Sequence, residues 1–401
     1  MKILMLGWEL PPHNSGGLGI ACYQLCKALS KKSVDIEFVL PYNADHGIDF
    51  MHITAAHPQG VAEVLRSGIA YDSYKYILED GQETWIDIFG QQQLYEHAVA
   101  RLVESREFDI VHAHDWLTFR AALRVKELKN CPIILHVHSV ESDRSGGPHG
   151  NPYVKEIEAV ALHMADRVIA VSQRTKDAIV RDYGVPADKI EVVHNSIDPQ
   201  GFEPLDGDNA YRYLSIMKSL GYRVVTNIGR LTIQKGLPNL LRAAQKVVQH
   251  HPKTLFLIVG SGEQLYELID LAADLGIGPN VIFTDFQRGK NWRDAFGIGD
   301  LFVMPSVSEP FGLTPLEAIG YGSPALVSKQ SGVSEVLNNC LKVDFWDIDE
   351  MANKIAAVMQ SDVLRDELAQ NGYREFERMS WDHVSDKVHN LYVEHSQGAP
   401  A

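Results

Sequence analysis

Two successive series of short apolar runs, each alternating with stretches of helical periodicity, constrain this fold more than any other feature of the chain. A strand covered on both faces reads as a continuous apolar run, and neighbouring parallel strands must be joined through helices that supply that cover. In the first series the strands fall at Lys2–Gly7, Asp35–Leu40, Ile110–Ala113, Pro132–Val137, Arg167–Val171 and Ile190–Val193. Helices are expected at Leu18–Lys31, Trp116–Leu128, Pro152–Met164 and Gln173–Asp182. The stretch Pro41–Glu96 carries no regular period that assigns it.

The second series places strands at Arg223–Ile228, Leu255–Val259, Val281–Thr284, Leu301–Met304 and Ala325–Ser328. Its helices are Leu237–His250, Gln264–Leu275, Trp292–Ile298, Pro315–Tyr321 and Ser334–Asn338. Between the series, Asp198–Asp208 is rich in Pro, Gly and acids and reads as a linker. A last amphipathic helix is expected at Trp381–His395. The fold class is therefore α/β, with two Rossmann-like doubly wound domains at 1–198 and 199–380. The stretch 381–401 is expected to cross back to the first domain. Such domains bind ligands in a crevice at the carboxyl ends of their strands.

Bulk properties agree and exclude several classes. At 401 residues, 45% hydrophobic and 22% charged, the chain supports two cores. A formal net charge of -15 argues against nucleic acid or an anionic membrane as partner. An anionic substrate then needs a locally positive site, which screening over roughly 8–10 Å permits. Cys22, Cys26, Cys131 and Cys340 are few and scattered, as in a reducing compartment. The apolar run at the N-terminus is too short for a signal segment or a membrane span. A cytoplasmic protein without stable membrane insertion is expected.

Glu309–Glu317, reading EPFGLTPLE, is the sharpest segment. It follows a buried strand and opens a helix. One reading is purely local: Thr314 as N-cap, Pro315 as first helical residue and Glu317 as the capping-box acid. The other is chemical. Gly312, Leu313 and Thr314 would present backbone N–H groups to a phosphate at a helix N-terminus, while Glu309 and Glu317 accept hydrogen bonds from sugar hydroxyls. Gly229–Gly236, reading GRLTIQKG, follows the first strand of the same expected sheet. Arg230 and Lys235 are either solvated loop charges or the cations a diphosphate requires.

In the first domain, Gly16-Gly17-Leu18-Gly19 is a glycine-rich turn between strand and helix, without the third spaced glycine of the dinucleotide fingerprint. Hydride chemistry is thereby disfavoured. His112 with His114, and His136 with His138, share faces of two strands. They are readable as a metal site, as packed or hydrogen-bonded rings, or as a substrate-contacting face. Asp115 and His138 sit at the strand ends. The polar loop Glu141–Gly147, which includes Arg144, is either a surface turn or a cover for an acceptor.

Taken together, the GGLG turn, His112–Trp116 (HAHDW), His138, Asp166–Gln173 (DRVIAVSQ), His194–Asp198 (HNSID), GRLTIQKG and EPFGLTPLE resemble glycosyltransferase family 4 over nearly the whole chain. That family has the GT-B fold and includes glycogen and starch synthase-like retaining enzymes. The resemblance implies an acceptor-side first domain and a nucleotide-sugar-binding second domain. Arg230, Lys235, Gly16, Gly17 and Gly312 to Thr314 would hold the donor diphosphate, and Glu317 the ribose. Glu309, Phe311 and His138 would contact the donor sugar, with Glu309 and His138 as the catalytic pair. Phe286 and Gln287 would lie by the base, and Asp115 and Arg144 on the acceptor side. The implied reaction is retaining hexosyl transfer from UDP- or ADP-glucose to a saccharide acceptor, with no cofactor and no metal.

Several positions depart from bacterial glycogen synthases. Asn14 stands where they carry lysine, Ser331–Glu335 lacks their paired glycines, and Ser196 replaces a common glycine. The HAHDW and EPFG forms still point to α-glucan or glucoside synthesis. Transfer to lipid-linked or surface polysaccharide, nucleotide-sugar 2-epimerisation and non-catalytic nucleotide-sugar sensing are the alternatives.

Overall fold

The computed structural model describes residues 1–14, 16–66 and 74–396. The chain divides into two compact units, one of Met1–Ser142, His149–Ser196 and Trp381–Ala401, the other of Asp143–Pro148 and Ile197–Ser380. Of the expected C-terminal stretch, residues 397–401 lie outside the described residues. Among the described residues no helix is long and apolar enough to cross a membrane.

The first unit is built on a seven-stranded parallel sheet. Its order is Ile190–Val192, Arg167–Ala170, Ile133–Val137, Ile110–His114, Lys2–Leu6, Asp35–Leu40 and His52–Ala55. Ile110–His114 and Ile133–Val137 are buried at every residue, as strands covered on both faces require. Winding reverses between Lys2–Leu6 and Ile110–His114, which pair directly with Met5 opposite His112. This is the topological switch point, where the carboxyl ends leave room for a ligand.

The helix Gly17–Ser30 covers this sheet with Ala21, Cys22, Leu25, Cys26 and Leu29 buried. Trp381–Ser396 belongs to the same unit. It buries Trp381, Val384, Val388, Leu391 and Tyr392, and its Asp386 pairs with Lys32 at 2.5 Å.

The unassigned stretch after Pro41 contains the edge strand His52–Ala55, the helix Ile88–Val103 and a separate antiparallel sheet of Val61–Arg66, Tyr74–Leu78 and Glu83–Ile86. These strands are short and half exposed, so they produce no apolar run. Trp8 Nε1 donates to the Tyr74 hydroxyl at 2.7 Å and anchors the small sheet.

In the second unit six parallel strands take the order Val281–Thr284, Thr254–Val259, Arg223–Ile228, Leu301–Met304, Ala325–Ser328 and Leu341–Val343. Its switch point lies between Arg223–Ile228 and Leu301–Met304, paired through Val225 with Leu301 and Thr226 with Phe302. The loops leaving these two strands begin at Gly229 and Pro305. Ile348–Gln360 packs against Leu237–His250, and Asp362–Phe376 follows it. Neither helix was expected from the sequence.

Gly236 closes the first of these loops at φ +65°, and a Cβ there would lie 2.2 Å from the Pro305 carbonyl oxygen. The side-chain-free residue lets the two switch-point loops approach. Gly236→Ala is expected to destabilise the protein by about 3 kcal/mol, combining left-handed strain with overpacking. Gly207→Ala, with open space around it, should leave the urea midpoint unchanged and serves as the control.

Candidate functional site

The switch-point loops of the second unit are tied by several contacts. Gln234 Nε2 donates to the Ser308 carbonyl at 2.9 Å, and Val307 N donates to the Gln234 carbonyl at 2.9 Å. Lys235 Nζ lies 2.5 Å from Glu309 Oε2, which also accepts from Ser306 Oγ at 3.1 Å. Glu309 is 8% exposed, so the carboxylate is held by a cation and a hydroxyl inside the unit. Its main chain is pinned from the far side, with Glu309 N donating to the Gln330 carbonyl and Gly332 N to that of Glu309. The loop after Thr254–Val259 joins this group through Leu231 N, which donates to the Ser261 carbonyl at 2.8 Å. Gly260-Ser261-Gly262 carries its own sequence signal, two glycines at a strand end marking a turn.

Arg230 differs from Lys235. It is exposed and has no ion-pair or hydrogen-bond partner among the described residues. Gly312 adopts φ +95°, and a Cβ there would meet Glu309 Cγ at 3.0 Å and Met304 Sδ at 3.1 Å. The backbone N–H groups of Gly312 and Leu313 find no acceptor among the described residues. Phe311 is 3% exposed, its carbonyl accepting from Val333 N at 2.7 Å, so its ring supports the loop from within.

The capping-box reading of this helix is not what forms. Thr314–Gly320 has Leu313 at its N-cap with no side-chain capping bond, and Thr314 Oγ1 turns toward Met304 Sδ at 4.0 Å. Glu317 makes no side-chain hydrogen bond among the described residues. Burial pushes its carboxyl from 4.5 up to about 7.

Phe286 and Gln287 follow the strand Val281–Thr284. Arg288 lies over the Phe286 ring at 5.2 Å, and Gln287 Oε1 accepts from Asn291 at 2.9 Å. Arg144 belongs with the second unit in Asp143–Pro148, where Ser308 Oγ donates to Asp143 at 2.5 Å.

In the first unit, Gly16 is exposed and extended with open space at its Cβ position. The requirement for glycine falls on Gly19, where a Cβ would meet Asn14 Cβ at 2.7 Å. Asp115 is 4% exposed at φ +60°, a costly conformation for a residue with a Cβ. Its Oδ1 accepts from His138 N at 2.6 Å and Ser139 N at 3.2 Å. Asp115 thus fixes the turn that carries His138.

His112, His114, His136 and His138 gather on one face of this sheet. His114 Nδ1 is 2.9 Å from His138 Nε2, and His112 Nε2 is 3.2 Å from His136 Nδ1. His112 Nδ1 also meets the Tyr392 hydroxyl at 2.5 Å. Nitrogens of His112, His114 and His136 lie within 4.8 Å of one another, as do donor atoms of Cys22, His114 and His138. However, the rings of His112 and His114, and of His136 and His138, stack with interplanar angles of 16° and 17°. Parallel rings aim their lone pairs in parallel rather than at one tetrahedral centre. Pairwise hydrogen bonding describes the array better than ligation.

Two family descriptions match the chain: Glycosyltransferase Family 4 over residues 15–200 and Glycosyl transferases group 1 over residues 216–375. It is 27% identical over 410 residues to an uncharacterized glycosyltransferase of Methanocaldococcus jannaschii, with 98% of each chain covered. It is 27% identical over 348 residues to the glycogen synthase of Mycobacterium tuberculosis, covering 84% of this chain and 80% of that one. Among solved structures, Anabaena HepE in complex with UDP-glucose matches with a TM-score of 0.72 and 20% identity, over 98% of this chain and 100% of that chain. The likeness shows the GT-B fold with its two Rossmann-like domains.

Glu317 gives a stability signature. Its carboxyl holds a proton more tightly folded than unfolded, so the native state binds more protons between pH 4.5 and about 7, and stability falls as pH rises through that window. Glu317→Gln removes the ionisation. Its thermal midpoint should gain on the parent protein between pH 5 and pH 8; a difference independent of pH would contradict the assignment.

Proposed function

The chain belongs to glycosyltransferase family 4, and from that premise we propose that it transfers a hexosyl group, glucosyl in our reading, from a nucleoside-diphosphate sugar to a saccharide acceptor, with retention and without a metal. The observation that carries this reading is the set of donors on the switch-point loops of the second unit. The Arg230 guanidinium and the Gly312 and Leu313 N–H groups have no protein partners among the described residues. Such a set suits a pyrophosphate, whose charge a helix N-terminus and a guanidinium both stabilise.

In this reading Arg230, Lys235 and the backbone of Gly312, Leu313 and Thr314 hold the diphosphate, assisted by Gly16 and Gly17. Glu309 Oε2 is occupied by Lys235 and Ser306, which leaves Oε1 to accept from donor-sugar hydroxyls. Glu317 accepts from the ribose hydroxyls, and Phe286 with Gln287 lies by the base. His138 contacts the donor sugar. Phe311, being buried, supports the loop rather than touching the sugar. Asp115 positions His138 in place of a direct acceptor contact, and Arg144 remains on the acceptor side. The 27% identity to a glycogen synthase, with the HAHDW and EPFG forms, supports an α-glucan or related saccharide as acceptor and UDP- or ADP-glucose as donor.

The chemistry follows from stabilising a departing anion. The bond from the anomeric carbon to the phosphate oxygen breaks with its electrons going to the diphosphate, and an oxocarbenium-like centre develops. The acceptor oxygen bonds to that carbon from the same face, and its proton passes to the leaving phosphate oxygen. Preorganised cations and backbone donors lower the barrier because they need no reorientation as charge develops.

Arg230→Ala is the cleanest test, because no ion pair among the described residues breaks with it. Released UDP or ADP, assayed over a panel of nucleotide sugars, should fall about 100-fold or more with an unchanged thermal midpoint. Near-normal turnover would refute the donor site. Chelation by EDTA should leave the rate unchanged, and a complete loss reversed by added metal would contradict the mechanism. Affinity for the nucleoside diphosphate should rise from pH 6 to pH 8 as Glu317 ionises through about 7, and Glu317→Gln should flatten that profile.

A further inference from the structure

Four imidazoles share one face of the first unit's sheet, yet the hydrogen bonds separate them into two strings. Tyr392, His112 and His136 form one, while Met5, His114 and His138 form the other. The second string ends on the residue assigned above to the donor sugar. It can be resolved to individual hydrogens because one member has no proton to give.

His114 Nε2 lies 3.0 Å from Met5 Sδ, and a thioether sulfur only accepts hydrogen bonds. Two facing lone pairs would repel, so His114 carries its hydrogen on Nε2. Burial holds His114 well below the ordinary imidazole range and His138 down to about 3, so each ring is neutral with one hydrogen. His114 Nδ1 is therefore bare, and it faces His138 Nε2 at 2.9 Å. A hydrogen must occupy that contact, and only His138 Nε2 can supply it. Cys22, within reach of both rings, stays protonated through burial and adds no charge.

We propose that Met5 and His114 act as positioning residues that lock His138 in the Nε2–H tautomer and leave its Nδ1 as a hydrogen-bond acceptor. The role of that acceptor rests on the sugar-contact reading of His138. His138 Nδ1 has no protein partner among the described residues. Asp115 holds the backbone beneath the ring through His138 N at 2.6 Å, so both the main chain and the ring face are fixed. A bare imidazole nitrogen accepts from a sugar hydroxyl and repels a phosphate oxygen. The tautomer thereby assigns His138 to a hydroxyl of the transferred sugar and excludes it from the diphosphate.

Neutron diffraction from crystals of the perdeuterated full chain at pH 7 tests the assignment without reference to activity. Deuterium is expected on Nε2 of both His114 and His138 and on neither Nδ1. Deuterium on His138 Nδ1 would overturn the proposal. Met5→Leu removes the sulfur at nearly constant volume and should give mixed tautomers at His138. Its kcat should fall about 3- to 10-fold, the worth of one hydrogen bond, with a smaller change in donor KM. A single unchanged tautomer with unchanged kcat would equally refute it. Should Met5→Leu not fold, the map of the parent protein still decides. Full turnover by His138→Ala would instead refute the sugar-contact reading, with the deuterium positions unaffected, so the two failures are distinguishable.

Discussion

The ion pair between Lys235 and Glu309 is the interaction on which the second unit's site depends. It joins the loops that leave two neighbouring strands at the point where the sheet's winding reverses. Removing either partner would strand a largely buried charge, at about 3–5 kcal/mol. The pair also fixes the Glu309 carboxylate with one oxygen occupied and one left over. Gln234, through its side-chain amide and its carbonyl, and the left-handed Gly236 hold the same junction. Organisation achieved on folding does not have to be achieved again during the reaction, and that is the condition for electrostatic catalysis by fixed donors. It also answers a difficulty raised by the net charge of -15. In the proposed reading an anionic donor meets a locally positive set, with Arg230 exposed and without an ion-pair partner among the described residues, inside a chain that is negative as a whole.

The first unit solves a different problem by similar means. Asp115 takes a strained backbone conformation, and its carboxylate caps the turn that presents His138. The histidine face looks from its composition like a place for a metal, but its stacked rings and pairwise contacts describe a rigid array of neutral imidazoles. In the string that ends on His138, such packing sets which nitrogen of His114 and His138 donates and which accepts. The decisive partner is a methionine, because its sulfur can only accept.

Much of this was legible in the sequence because parallel strands buried on both faces cannot hide. Arg223–Ile228, Val281–Thr284, Leu301–Met304 and Ala325–Ser328 are bounded as the apolar runs predict. The loops carrying Arg230 and Gly312 were found through their glycines and charges at strand ends. Half-exposed elements stayed hidden: His52–Ala55 and the small antiparallel sheet alternate too weakly to register. Ile348–Gln360 and Asp362–Phe376 went unassigned although the first is strongly one-sided in burial. Thr314 and Glu317 fit a capping box on paper, yet the helix starts without one, because Glu309 and Gly332 pin the loop ahead of it. The contact between Met5 and His114 spans 109 positions, and nothing local announces it. Similarly, the Asp143–Pro148 segment groups with the second unit through tertiary contacts that no periodicity encodes.

A crystal structure with a nucleoside diphosphate bound would show at once whether the donors of the switch-point loops form the diphosphate site. The phosphates are expected within hydrogen-bonding distance of the Arg230 guanidinium and the Gly312 and Leu313 N–H groups, with the ribose hydroxyls on Glu317. A nucleotide whose phosphates contact none of these groups would contradict that expectation.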